Sequence, residues 1–179
     1  MAMAMGDIRS DETTFLVAIM SNSSEDAEKL MADDNFVGIN ALDRHSRSAL
    51  HLAVAHKMER VCQEILRRAD FMHVNARDQC DRTALHLAAI YGLGSIVKAI
   101  LVAPSFDEVN AKDGTTGQTA LIWASKCGHK SVVDALLKCG QIDVNETDKN
   151  GNDAHTIARK YGHDTIANLI ALHPKWLGN

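Results

Sequence analysis

Histidines and cysteines are the side chains of this sequence that could bind a metal ion or act as nucleophiles. The 179 residues include nine histidines and four cysteines. The cysteines lie far apart without a CxxC pair, and Cys127 and His129 have no second pair of ligands at zinc spacing near them. The spacing therefore gives no metal site, and we expect neither a metal ion nor a cofactor.

Thiol chemistry is the catalytic alternative, because a reactive cysteine needs an exposed and positively charged setting. Cys80, which lies between Arg77 and Arg82, comes closest to this setting, and Cys127 is the second candidate. No GxGxxG, P-loop, GxSxG or HExxH motif accompanies either of them. We therefore expect a protein without enzymatic activity, with cysteine-based redox or enzyme chemistry as the alternative.

The composition indicates a helical protein with a core of small aliphatic side chains. Hydrophobic residues make up 46% of the chain but aromatic residues only 4%, whereas strands favour aromatic and β-branched residues. The net charge of −4 does not favour bulk binding to nucleic acid or anionic membranes, and no apolar run reaches the length of a membrane helix. Scattered cysteines favour a reducing compartment, so we expect the cytoplasm, with the nucleus as the alternative.

The elements that must position these residues recur with a period of 35 residues. The period is carried by four aspartates and four asparagines: Asp43, Asp78, Asp113 and Asp148, and Asn40, Asn75, Asn110 and Asn145. An alanine follows each asparagine after 13 or 14 residues. The chain therefore divides into five units, 12–42, 43–77, 78–112, 113–147 and 148–176, which together form one domain. Residues 1–11 are expected to form a disordered tail.

Motifs inside the units resemble the ankyrin repeat, whose pattern is T-P-L-H-x-A. The motifs are SALHLA at 48–53, TALHLAA at 83–89 and TALIWA at 119–124, and a Val-Asn pair follows each of them. The period exceeds the usual period of about 33, alanine replaces proline, and the first and last units are degenerate, as expected of caps. The resemblance implies an all-α repeat solenoid of stacked helix–turn–helix units with β-hairpin fingers between them.

Several repeated positions have a structural reason that does not depend on the resemblance. A residue type that caps helix N-termini precedes four of the first helices: Ser48, Thr83, Thr119 and Asp153. Glycines that can end a helix in the left-handed conformation follow in three units: Gly92, Gly128 and Gly162. Lys57 and Asn22 take this position in the second and first units, and we expect Lys57 to carry a backbone cost.

Other recurring side chains are expected to hold the scaffold together. Three phenylalanines at the same period are predicted to anchor loops against the stack: Phe36, Phe71 and Phe106. His51 and His86 are predicted to form local hydrogen bonds where finger meets helix. The amides of the repeated asparagines are predicted to hold the finger turn. At the end of the last unit, Trp176 or Leu177 is expected to fold back over the stack.

The resemblance implies protein–protein recognition through the finger tips and the concave surface of the first helices. Carried onto this sequence, the partner-binding residues are Arg44, His45, Arg47, His56, Gln79, Arg82, Ile90, Tyr91, Trp123, Lys126 and Tyr161. Tyr91, Trp123 and Tyr161 are placed to form a row of aromatic anchors. The basic early fingers favour a partner with an acidic or phosphorylated segment.

The predicted function is therefore a non-catalytic interaction module that acts as a scaffold, an adaptor or an inhibitor. We expect a monomer that binds another protein and neither nucleic acid nor membrane. Residues 44–82 carry eight basic and five acidic side chains, so nucleic-acid binding through the early fingers is a further alternative. The resemblance also implies that three asparagines can be substrates of an asparaginyl hydroxylase: Asn75, Asn110 and Asn145.

Overall fold

A computed structural model of the protein describes residues 7–33 and 35–178. Within them the chain forms ten α-helices and a short 3-10 turn at Gly38–Asn40. The helices are α1 (Asp7–Met20), α2 (Ser24–Met31), α3 (Ala49–Ala55), α4 (Glu59–Arg67), α5 (Ala84–Tyr91), α6 (Gly94–Leu101), α7 (Ala120–Cys127), α8 (Lys130–Leu137), α9 (Ala154–Lys160) and α10 (Asp164–Ala171). They alternate with loops that carry the repeated aspartates.

The helices form five pairs stacked in two rows, which confirms the predicted all-α repeat solenoid. The first helices of the pairs contact one another in order along the chain, from α1 through α3, α5 and α7 to α9. The second helices, α2, α4, α6, α8 and α10, do the same. In the described residues the fingers hold isolated antiparallel bridges, Leu42 to Ser48 and Thr147 to Asp153. The fingers are therefore tight turns with at most one such bridge, not extended β-hairpins.

Helix α1 is the longest helix of the described chain and begins earlier than the sequence indicated. It spans 14 residues from Asp7, so residues 7–11, which were assigned to a disordered tail, are helical. The rest of that predicted tail, residues 1–6, lies outside the described residues. Positions 8–12, which precede the finger at 43–47 by one period, thus belong to a helix. No finger precedes α1 within the part of the chain that the structure describes.

The predicted capping residues begin the first helices by contacting backbone N–H groups that have no partner inside the helix. Ser48 Oγ accepts from the His51 N–H at 3.4 Å, and the Ser48 N–H donates to His51 Nδ1 at 3.3 Å. The Thr83 N–H donates to His86 Nδ1 at 3.1 Å in the same arrangement. The caps of α7 and α9 accept an N–H as well. Both histidines therefore form the local hydrogen bonds that the sequence predicted.

Left-handed residues end the first helices, as predicted from the glycine spacing. The φ angles of Gly92, Gly128 and Gly162 are 72°, 76° and 78°. Lys57 and Asn22 occupy the same region with φ angles of 58° and 59°, although both carry a Cβ atom. Because this region disfavours residues with a Cβ atom, Lys57 adopts the conformation on which its predicted backbone cost depends.

Small alanines and phenylalanine anchors build the core. The repeated alanines of the first helices are fully buried: Ala53, Ala88, Ala124 and Ala158. Phe36 is buried and packs edge-on against Phe15, with 4.9 Å between the ring centroids. Phe71 and Phe106 are half-buried against the same core. All three phenylalanines at the 35-residue period are therefore loop anchors, as predicted.

The repeated asparagines hold the loop of the following unit, and the prediction that they hold their own finger turn is wrong. Asn75 Nδ2 donates to the Ser105 carbonyl at 2.7 Å, and Asn110 Nδ2 donates to the Gln141 carbonyl at 2.8 Å. Asn145 Nδ2 donates to the Lys175 carbonyl at 2.8 Å. These amides therefore join one unit to the next and stabilise the stacking.

Trp176 closes the last unit, as one of the two sequence alternatives predicted. Its half-buried ring lies 4.5 Å from the ring of His155, and its Nε1 donates to Asp153 Oδ2 at 3.4 Å. Leu177, the other alternative, remains 80% exposed. The end of the stack is thus covered by one aromatic side chain.

Candidate protein-binding face

The finger turns are held by the repeated aspartates, which fixes the positions of the predicted contact residues. Asp43 Oδ1 accepts the backbone N–H groups of His45 and Arg47 at 2.8 and 2.9 Å. Burial raises the pKa of the Asp43 carboxyl, but hydrogen bonds from Arg47 and the backbone lower it more, to below its usual value of 3.8. At Asp78 burial likewise raises the pKa, and hydrogen bonds from Arg82 and the backbone lower it more. At Asp113 and Asp148 burial also raises the pKa, and hydrogen bonds from the backbone and from uncharged side chains lower it more.

Each finger is joined to the next by one backbone hydrogen bond. The Gln79 N–H donates to the His45 carbonyl at 3.1 Å, and the Gly114 N–H donates to the Cys80 carbonyl at 2.9 Å. The Lys149 N–H donates to the Thr116 carbonyl of the preceding finger at 3.0 Å. The donor is the residue after the repeated aspartate each time, so the fingers form a continuous row with a regular spacing.

The predicted basic finger residues differ in how much charge they offer to a partner. Arg47 pairs with Asp43 at 2.7 Å and Arg82 pairs with Asp78 at 2.8 Å, so two of the three arginines are neutralised within their own fingers. Arg44 is exposed, and its Nε lies 3.1 Å from His45 Nε2. The predicted finger residues His45 and Gln79 bond to each other, with 3.0 Å between Nδ1 and Oε1.

The predicted aromatic row consists of two exposed tyrosines and one half-buried tryptophan. Tyr91 is 41% exposed and Tyr161 is 47% exposed at the ends of the first helices. The Trp123 ring packs against the core, and its Nε1 donates to Asp113 Oδ2 at 2.9 Å. Trp123 therefore also ties its helix to its finger. Ile90, which precedes Tyr91, is half-buried against the core.

Lysines lie over the rings of this row. Lys126 Nζ lies 4.5 Å from the ring centroid of Trp123 and 5.8 Å from that of Tyr161. Lys57 Nζ lies 5.9 Å from the ring centroid of Tyr91. These distances suit cation–π interactions. From the sequence, Lys57 was identified only as a lysine in the position of the turn glycine. Its place directly after His56, a predicted contact residue, also indicated a role in binding.

The exposed ends of the first helices and the finger tips together form what we call the inner face. Its helix positions lie at the ends of the first helices and are His56, Tyr91, Lys126 and Tyr161, and its finger residues are Arg44, His45, Arg47, Gln79 and Arg82. Rings and cations thus contact one another at the ends of these helices. Trp123 contributes the face of its ring beneath Lys126.

The histidines inside the stack are occupied with structural contacts. His51 Nε2 lies 3.0 Å from the Arg82 carbonyl of the next finger, and His86 Nε2 lies 3.2 Å from the Gln118 carbonyl. Burial lowers the pKa of both imidazoles below the usual value of 6.5. Among the described residues, no group of three or more histidine, cysteine or acidic side chains could hold a metal ion.

The four cysteines are free thiols. Burial raises the pKa of Cys62 to about 12, and burial also raises the pKa of Cys127. Cys80 is exposed, but the arginines that flank it in sequence already pair with Glu108 and Asp78. The positive setting that would activate a cysteine is therefore weaker than the sequence suggested.

Five stacked helix pairs with linked fingers define a helical repeat protein. A model of three consecutive ankyrin repeats matches residues 15–113 and again residues 85–175. The chain therefore belongs to the ankyrin repeat family, whose members are in general protein-interaction modules. None of the described helices is long and apolar enough to cross a membrane.

Proposed function

We propose that the chain is a non-catalytic module that binds an extended segment of another protein along the inner face. The observation that carries the proposal is the contact of rings and cations at the ends of the first helices: Lys57 lies over Tyr91, and Lys126 lies over Trp123 and Tyr161. Both tyrosines expose more than two fifths of their surface. Exposed tyrosines on a rigid scaffold are residues that contribute strongly to protein interfaces.

The charges of the inner face support a partner with an acidic or phosphorylated segment. Among the described residues, no carboxylate pairs with Lys57 or Lys126. Their ammonium groups lie over rings and keep N–H donors for a partner's anionic groups. Arg47 and Arg82, in contrast, already contact carboxylates. We therefore assign the recognition of negative charge chiefly to the lysines.

Binding of this kind suits a scaffold, an adaptor or an inhibitor, and we place the protein as a monomer in the cytoplasm or nucleus. The repeated asparagines stay candidates for hydroxylation. Asn75, Asn110 and Asn145 are half-buried, and their side-chain amides are engaged with the next unit. Hydroxylation of these asparagines would therefore change the contacts between neighbouring units rather than the side chains of the inner face.

The proposal is tested by affinity capture with variants of the two exposed tyrosines. The purified chain and the double variant Tyr91→Ala/Tyr161→Ala are immobilised and exposed to the same cell lysate, and bound proteins are quantified by mass spectrometry. The control is Val102→Ala, because Val102 is 81% exposed at the end of α6, in the row of second helices. We expect the control to keep its captured proteins and the double variant to lose them.

The chemistry of the partner is tested by two further changes. Lys126→Glu reverses the charge between Trp123 and Tyr161 and should reduce capture of the same proteins. Phosphatase treatment of the lysate separates the two sources of negative charge, because it removes phosphate but leaves acidic side chains. If neither Tyr91→Ala/Tyr161→Ala nor Lys126→Glu changes the set of captured proteins, the proposed function is contradicted.

A further inference from the structure

An apolar groove lies at the first end of the row of fingers, between α1 and the finger that precedes α3. It has a volume of about 430 Å³. Its apolar lining includes Val17, Met20 and Leu42, which are 54%, 50% and 47% exposed. Exposed apolar side chains that line a groove and are rimmed by polar residues are a feature of binding sites. No described part of the chain fills the groove.

Within the described residues the first finger has no neighbouring finger on one side, and the groove lies on that side. In every later finger, the residue after the repeated aspartate donates its N–H to the preceding finger, as Gln79 does to the His45 carbonyl. Arg44 is the equivalent residue of the first finger. The positions one period before this finger are helical in α1, so the Arg44 N–H has no acceptor among the described residues. The repeat geometry directs this N–H toward the groove.

The charge at the groove is positive. Asp43 and Arg47 line it but neutralise each other at 2.7 Å. Arg44 also lines it, is exposed, and pairs with no carboxylate in the described part of the chain. Within the described residues, the groove therefore combines a backbone N–H without an acceptor, an apolar floor and a guanidinium group that pairs with no carboxylate.

We propose that this groove binds an extended segment of a partner protein, which takes the place of a preceding finger. A backbone carbonyl of the segment accepts the Arg44 N–H, an apolar side chain contacts Val17, Met20 and Leu42, and a carboxylate pairs with the Arg44 guanidinium. Addition of an extended segment to an exposed edge is a general mode of peptide recognition. Because alternate side chains of an extended segment face the same way, apolar and acidic residues alternate in it.

The groove site is separate from the tyrosines and lysines of the proposed inner-face contact and can be tested independently of them. A phage library of random peptides about twelve residues long is panned against the full chain. Each selected peptide is measured against Val17→Lys, which places a cation in the groove, and against Tyr91→Ala/Tyr161→Ala. Leu42→Ser is a second groove variant, and thermal melting followed by circular dichroism establishes that each variant is folded.

We expect a class of peptides with alternating apolar and acidic residues that binds both the wild type and the tyrosine variant. Its affinity should fall by about tenfold or more in Val17→Lys and in Leu42→Ser. In nitrogen-15 spectra of the wild type, a saturating amount of such a peptide should shift the Arg44 amide proton downfield. Arg44→Glu should weaken the binding of these peptides. It should not weaken the binding of peptides in which lysine replaces the acidic residues.

The proposal is overturned if no selected peptide loses affinity in Val17→Lys or Leu42→Ser. It is overturned as well if the peptides that lose affinity in these variants do not shift the Arg44 amide signal of the wild type. It is also overturned if sedimentation shows that the wild type is a dimer and Val17→Lys a monomer, since a second copy would then cover the groove. If the inner-face tyrosines and lysines prove to bind no partner while the groove still binds its peptides, only the proposed function is contradicted.

Discussion

The ring of His129 lies over Gly92 of the preceding unit, with Nε2 at 3.0 Å from the Ile90 carbonyl oxygen. A Cβ atom on Gly92 would lie 2.7 Å from Nδ1 of that ring. Glycine at this position therefore does two things: it adopts a positive φ angle, and it leaves room for the ring of the next unit. The same relationship recurs between Gly128 and His163.

The two roles of this glycine can be separated by comparing Gly92→Ala with Gly162→Ala. Both residues have a positive φ angle, but a Cβ atom on Gly162 would meet nothing within 4 Å. Gly162→Ala should lower the free energy of unfolding by about 1–2 kcal/mol, the cost of the left-handed conformation alone. Gly92→Ala should cost about 1–3 kcal/mol more, because the new methyl group overlaps the ring of His129. Urea denaturation of both variants measures the difference.

Truncation of the ring provides the control for this comparison. His129→Ala combined with Gly92→Ala should remove the overlap, so the two changes together should cost less than the sum of their separate costs. Equal destabilisation by Gly92→Ala and Gly162→Ala would show that only the backbone conformation matters at Gly92.

Lys57→Gly is expected to stabilise the protein and to weaken binding at the inner face. Lys57 has a φ angle of 58°, where glycine is favoured, so the substitution should raise the free energy of unfolding by about 0.5–1 kcal/mol. It also removes the ammonium group above the Tyr91 ring. Chemical denaturation measures the first effect, and affinity for the captured partner measures the second. A denaturation midpoint that falls contradicts the first part of the prediction.

The stability of the fold should decrease as the pH falls below about 6.5. Burial lowers the pKa of His51 and His86 in the folded protein. Between the unfolded value near 6.5 and the lowered folded value, the unfolded chain binds protons that the folded chain does not, so the equilibrium shifts toward unfolding. The contribution of these two imidazoles is complete above pH 6.5. The aspartates with lowered pKa values add a further loss only at lower pH, around and below 3.8.

Urea denaturation at about pH 7.5 and about pH 5.5 tests this dependence. The wild type should be less stable at the lower pH, and His51→Gln/His86→Gln should show a smaller difference between the two conditions. His56→Gln, which changes an exposed ring, serves as the matched control. A wild type that is equally stable at both pH values would contradict the assignment.

The scaffold could be predicted from the sequence because its local rules repeat. Ser48 and Gly92 mark the start and end of first helices through capping and backbone conformation, which depend on neighbouring residues only. The 35-residue period of Phe36, Phe71 and Phe106 predicted their common role as anchors, because apolar side chains that recur at one position of a repeat face the same core. Caps and turns are fixed by a few adjacent residues, and each copy of the repeat confirms the others.

Contacts between units could not be predicted, because spacing does not say which way a side chain turns. Asn75 has the position of a residue that holds its own turn, yet its amide reaches the loop of the next unit. The sequence predicted Arg82 as a basic contact residue, but the turn places the Asp78 carboxylate 2.8 Å from its guanidinium group. The Arg44 N–H has no acceptor among the described residues because a helix takes the place of a preceding finger, and residues 43–47 themselves do not reveal this.

Trp123 makes two contacts that a single conservative substitution can separate. Its indole N–H donates to Asp113 Oδ2 at 2.9 Å, and the face of its ring lies 4.5 Å from Lys126 Nζ. Trp123→Phe keeps an aromatic face and removes the N–H. We expect the free energy of unfolding to fall by about 1–2 kcal/mol, because a buried carboxylate loses a hydrogen bond. The affinity for a partner on the inner face should change by less than about threefold.

Trp123→Leu is the matched comparison, since leucine is the residue at the equivalent positions Leu52 and Leu87. It removes the ring as well as the N–H, so it should reduce affinity at the inner face far more than Trp123→Phe does. Denaturation in urea and binding of the captured partner are measured on both variants. If Trp123→Phe keeps the stability of the wild type, the contact with Asp113 does not tie the helix to its finger. If both variants bind the partner as the wild type does, the ring is part of the scaffold and takes no part in recognition.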